Sequence, residues 1–68
     1  MNGFKRCRRE ANLTQEKAAV LLGLKTSSTV SMWETGKNVP GARMLVKIAD
    51  AYGCSVDDLL REKEEKVI

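Results

Sequence analysis

The sequence predicts an all-α fold, a compact bundle of five short helices in a single domain. Three observations predict it. Apolar residues recur three and four positions apart, most clearly at Leu45, Ile48, Ala49 and Tyr52. Glycines and small polar residues fall between these runs, where helices stop and start. No stretch shows the apolar–polar alternation of a half-buried strand, and there is no repeat, linker or low-complexity segment. A chain of 68 residues suits one core, and at this length only about 60% of the unfolded surface is buried, so modest stability is expected. The domain is expected over residues 1–68, with its core at about 4–60 and a charged extension at 61–68.

Each element has its own reason. Phe4, Cys7, Arg8 and Ala11 share one helical face, which places a first helix at about Asn2 to Ala11, broken by Asn12. Thr14 is a good N-cap for a second helix, although Lys17 stands where a capping box wants Glu or Gln. That helix turns Ala18, Ala19 and Leu22 inward and stops at Gly23. Leu24 plugs the angle to the next helix. Thr26 or Ser27 caps a third helix at about 27–35, which buries Val30 and Trp33 and ends at Gly36. The loop from Gly36 to Gly41 carries turn residues throughout. A fourth helix follows at about Ala42 to Tyr52, with Gly53 as its stop and Cys54 as the apolar contact beyond it. Ser55 and Asp58 have capping-box spacing, and Val56, Leu59 and Leu60 are expected to complete the core.

Charge and composition narrow the function. The net charge of +3 is uneven: residues 1–38 hold seven Lys and Arg against three Glu, or +4, and residues 39–68 hold five against six, or −1. A positive first half favours a polyanionic partner at that end, against the plainer reading of an ordinary solvated surface. Catalysis has no support, because the chain lacks His and a Gly-rich phosphate loop, and its Ser and Cys residues have no plausible general base. Cys7 and Cys54 fall on apolar positions and cannot supply four metal ligands, so they read as small buried thiols and no metal or cofactor is expected. No run approaches the roughly 20 apolar residues of a membrane span, and Met1-Asn2-Gly3-Phe4-Lys5 lacks the apolar stretch of a signal peptide. A cytoplasmic protein is the resulting expectation.

The two short helices joined by a glycine turn carry a resemblance. In order stand Leu13-Thr14-Gln15, Ala19, Leu22-Gly23, Ser28-Thr29-Val30-Ser31, Trp33-Glu34, Gly36-Lys37, Pro40, Ile48-Ala49, Tyr52-Gly53 and Val56-Asp57-Asp58-Leu59-Leu60. Together they resemble the phage-repressor type of helix-turn-helix domain, the Cro/CI-like (XRE) family, over roughly Phe4 to Leu60. The resemblance implies a helix-turn-helix that reads the major groove of duplex DNA with the third helix. Ser27, Ser28, Thr29 and Met32 would then face base edges. Ser hydroxyls bond several edges and Met can touch a thymine methyl, so readout would be soft. Gln15, Lys37, Asn38 and Arg43 would contact phosphates, Gln15 at a helix N-terminus that already favours an anion. Trp33 falls at the family's apolar position, which makes it a packing residue rather than a base stacker. Arg8 and Glu34 resemble a pair that ties the first helix to the third. One departure stands out: from Gly23 to Gly36 the chain is one residue longer than the family spacing, within Leu24-Lys25-Thr26-Ser27, so either the turn bulges or the third helix starts early.

The functional expectation is a sequence-specific DNA-binding transcriptional regulator, a repressor by its resemblance. The alternative is a protein-interaction adaptor or antitoxin-type module on the same fold, using Val20, Leu21 and the apolar end Val67-Ile68. One recognition helix covers only about four or five base pairs, so a homodimer on a pseudo-palindromic operator is expected, with third helices about 34 Å apart. The resemblance places the dimer contact around Val56 to Arg61. No small-molecule effector is expected to act within this chain.

Overall fold

The computed structural model describes residues 2–61 and builds them into five helices: α1 (Phe4–Glu10), α2 (Gln15–Leu21), α3 (Ser28–Thr35), α4 (Ala42–Tyr52) and α5 (Val56–Leu60). No strand occurs among the described residues. The expected extension at 61–68, apart from Arg61, and the Val67-Ile68 end lie outside them.

Local chemistry sets most boundaries. The α1 helix is shorter than its apolar pattern. Asn2 stays outside it and accepts the Phe4 N–H through Oδ1 at 3.1 Å, and Asn12 leaves it in the left-handed region at φ 62°. Thr14 caps α2, its Oγ1 accepting the Lys17 N–H at 3.0 Å. Gly23, at φ 73°, reverses the chain so that the Leu24 N–H reaches the Ala19 carbonyl at 2.9 Å. Of the two candidate caps for α3, Thr26 does the bonding: its Oγ1 accepts the Ser28 N–H at 3.1 Å, while Ser27 sits at the cap position with no side-chain bond. The α3 helix begins at Ser28, and residues 22–27 form the turn between α2 and α3. The capping box at α5 forms fully, Ser55 Oγ accepting from Asp58 N at 3.0 Å and Asp58 Oδ2 from Ser55 N at 3.3 Å.

The core is one cluster drawn from all five helices. Ile48, Leu59 and Val30 are fully enclosed, with Phe4, Cys7, Ala18, Ala19, Leu22, Trp33, Ala49 and Tyr52 around them. The Phe4 and Trp33 rings meet at 6.2 Å. Small Ala18 and Ala19 let α2 approach α3 closely, and Leu24 packs against the cluster from the turn. Leu60 corrects the sequence reading. It is 48% exposed and does not complete the core, because a single-turn helix has room for Leu59 inside and its neighbour then points outward. Leu45 and Val56 are half-buried at the cluster's edge.

The beginning of the described chain closes the far end of the fold. Gly3 N–H donates to the Leu59 carbonyl at 2.9 Å and Arg6 Nη2 to the Asp58 carbonyl at 3.2 Å. These bonds satisfy carbonyls that a helix end leaves without partners. Gly3 is required there, since a Cβ would drive into the Asp58 carbonyl oxygen.

Candidate nucleic-acid interface

The site is built outward from a buried ion pair. Glu34, near the end of α3, is 7% exposed, and Arg8 of α1 is 8% exposed. Arg8 Nε donates to Glu34 Oε2 at 2.6 Å and Nη2 to Oε1 at 3.2 Å, a two-pronged contact. Arg8 Nη1 also donates to the Leu13 carbonyl at 2.7 Å, which brings in the turn before α2. The hydrogen bond to Glu34 raises the Arg8 pKa above its ordinary value despite burial, so the guanidinium stays charged. The cost of burying the pair is offset by hydrogen bonds that reach both carboxylate oxygens and the Leu13 carbonyl.

Gln15 completes this junction. Its Nε2 donates to Glu34 Oε1 at 3.0 Å, so the first residue of α2 is tied to α3 as well. The amide has a second N–H, and that is the donor it retains for an outside acceptor. Nearby, Tyr52 is buried with its hydroxyl unpartnered, and burial together with the Glu34 charge pushes it up to about 12. The three helices α1, α2 and α3 are therefore fixed at Glu34 by directional bonds as well as by packing.

The C-terminal end of α3 is held from two sides. Asn2 Nδ2 donates to the Trp33 carbonyl at 2.8 Å. The Lys37 and Asn38 N–H groups donate to the Met32 carbonyl at 3.0 and 3.3 Å. Gly36, at φ 81°, makes that return possible. Sequence reading missed Asn2; its one signal is a small amide just before an apolar helical run.

With Val30, Trp33 and Glu34 committed to the interior, α3 leaves its other polar residues at or near the surface. Ser28 is exposed, and Ser27, Thr29 and Met32 are half-buried. Lys37 and Asn38 are exposed on the following loop, and Arg43 is exposed in the first turn of α4. Asn38 Oδ1 accepts the Val39 N–H at 3.1 Å, which leaves its NH2 as the outward half of the amide. Pro40 is buried and pins this loop to the domain. The α3 helix, the loop after it and the first turn of α4 thus carry hydroxyls, an amide and cations at or near the surface, the groups that bond phosphates and base edges.

The remaining polar chemistry is quiet. Cys7 is buried and Cys54 half-buried, and desolvation together with contact to Cys7 pushes the Cys54 thiol up to about 12. Among the described residues no group of His, Cys, Asp and Glu is placed to hold a metal, and no helix is long and apolar enough to cross a membrane.

Comparison with known proteins shows the family. A curated relative, an uncharacterized HTH-type transcriptional regulator, YqaE, of Bacillus subtilis (strain 168), is 36% identical over 65 residues, which cover 94% of this chain and 55% of the relative. The chain therefore spans about half the length of the curated relative it matches. The helix-turn-helix family model HTH_3 matches residues 4–59, nearly all of the described fold. The chain belongs to the helix-turn-helix family of the XRE type.

Proposed function

We propose that this chain is a sequence-specific DNA-binding transcriptional regulator that lays α3 in the major groove and acts as a repressor. The observation that carries the reading is the Arg8–Glu34–Gln15 junction. It holds a helix with a polar outer face at a fixed angle, flanked by exposed Lys37 and Arg43. The HTH-type regulator YqaE supports the same reading. In this reading Ser27, Ser28, Thr29 and Met32 face base edges, and Gln15, Lys37, Asn38 and Arg43 face phosphates. The second N–H of Gln15 bonds a phosphate while the first keeps Glu34, so docking on DNA and the angle of α3 share one side chain.

Two copies act together on a pseudo-palindromic operator, with α3 helices about 34 Å apart, because one α3 spans too few base pairs to select a site. Their contact lies around Val56 to Arg61, where Leu60 is exposed beside an Arg61–Asp57 ion pair. DNA drives this pairing, since the patch is small against the roughly 1,600 Å² of a standard stable interface.

Selection of bound sequences from random duplex DNA tests the reading. A specific site is expected, with affinity falling steeply in salt at a log–log slope of about −0.9 per phosphate neutralised. Ser28→Ala and Met32→Ala then change the preferred sequence, at about 1–3 kcal/mol per lost base contact, whereas Lys37→Ala weakens all sequences alike. No selected sequence at low salt, or equal profiles for both classes of variant, contradicts it.

A further inference from the structure

Two large apolar side chains at the end of α2 face solvent: Val20 is 72% exposed and Leu21 54%. Beside them Leu21 and Leu22 line a shallow groove of about 410 Å³, whose opposite wall is α4 through Lys47, Asp50 and Ala51. Val46, one turn before Asp50, is also exposed on α4. The core takes Ala18, Ala19 and Leu22 from the α2 segment and leaves Val20 and Leu21 outside. None of these residues belongs to the faces proposed above for DNA or for pairing at α5.

The rim of the groove carries one charge of each sign. Lys47 and Asp50 lie one turn apart on α4, both exposed, and among the described residues neither side chain is in an ion pair. Such a rim is complementary to itself. A two-fold axis through it sets each lysine against the other copy's aspartate, whereas a rim of one sign repels its own copy. We propose that the groove is a self-association surface that takes a second copy of this chain. Leu21 of each copy enters the groove of the other, between two crossed Lys47–Asp50 pairs. The contact is small, at the low end of interface sizes, and it is weak and salt-sensitive. Because it uses a different face from α5, it joins further copies rather than closing the same pair.

A dilution series followed by amide NMR shifts and by solution mass tests this with the full chain and no DNA, from about 50 μM to about 2 mM, the range of weak contacts. Concentration-dependent shifts are expected at Leu21, Lys47, Asp50 and Ala51, with mass rising above the monomer. Lys47→Glu and Asp50→Lys, both on exposed side chains, each weaken association at least about tenfold. An equal mixture of these two variants associates again, as does the double swap in one chain, and Leu21→Ser removes association in every background. Wild-type protein without shifts at these residues overturns the proposal, as do single variants that associate like wild type or a mixture that stays monomeric. Shifts confined to Val56–Leu60 overturn it too, and leave the α5 pairing and the DNA reading standing.

Discussion

The helices α3 and α4 are held in place by different means. The α4 helix has 11 residues and a broad apolar face, with Ile48, Ala49 and Tyr52 buried and Met44 and Leu45 packed at the edge. Its orientation follows from hydrophobic burial, which needs area but little direction. The α3 helix has eight residues, about 12 Å of length, and buries Val30, Trp33 and a carboxylate. It is tied down as well by hydrogen bonds from other elements, through Arg8, Gln15 and Asn2. A short helix with a polar outer face has less apolar area to set its angle, and directional bonds add to what packing supplies.

The largest test of this contrast is in α4. Ile48→Ala removes a side chain with no exposure and should cost about 4 kcal/mol, within the usual range for such truncations. Urea unfolding measures it, and a loss below about 1 kcal/mol would mean that burial does not hold α4. Next comes the buried pair. Arg8→Ala strands Glu34 with only Gln15 as side-chain partner and should cost about 3 kcal/mol. In a double-mutant cycle with Glu34→Ala the coupling should exceed about 1 kcal/mol. Arg8→Lys should restore little of it, because an ammonium lacks the planar fork. A coupling of zero would reduce α3 to the same packing principle as α4.

A smaller effect is expected at the other end of α3. Asn2→Ala loses the bonds to the Trp33 carbonyl and the Phe4 N–H, and should cost about 1 kcal/mol. Amide exchange should rise in the last turn of α3 and stay unchanged in α4. If both helices loosen together, their anchoring is not separable.

The least effect concerns pH at α5. Asp58 accepts the Ser55 N–H, and that backbone bond, followed by the side-chain bond with Ser55, holds its carboxyl below the usual carboxylate range. A lowered folded pKa gives stability that is complete above the unfolded value and lost as pH falls through the folded one, so the window lies below about pH 4. Melting temperatures of wild type and Asp58→Asn should therefore converge on acidification. A constant gap across that range would remove the capping carboxylate as the cause.

The parts of the molecule legible in the sequence are those made within a few residues. The glycine stops at Gly23, Gly36 and Gly53, the Thr14 cap and the Ser55–Asp58 box all join near neighbours, so spacing alone reveals them. The period of Leu45, Ile48, Ala49 and Tyr52 predicts α4 at about Ala42 to Tyr52, where it is found, for the same reason. The set of residues proposed to face DNA came from family resemblance, and their arrangement around α3 is a matter of the assembled fold.

Sequence by itself determined the five helices, most of their ends and most of the core, because helical hydrogen bonds, caps and apolar period are local. The tertiary structure alone decided that Leu60 faces outward, that Gln15 bonds Glu34, that Asn2 caps the Trp33 carbonyl 31 residues away, and that Gly3 closes the end of α5. Each depends on groups distant in the chain whose positions exist only once five helices have packed, and a polar side chain does not signal in sequence which distant carbonyl or carboxylate it will meet.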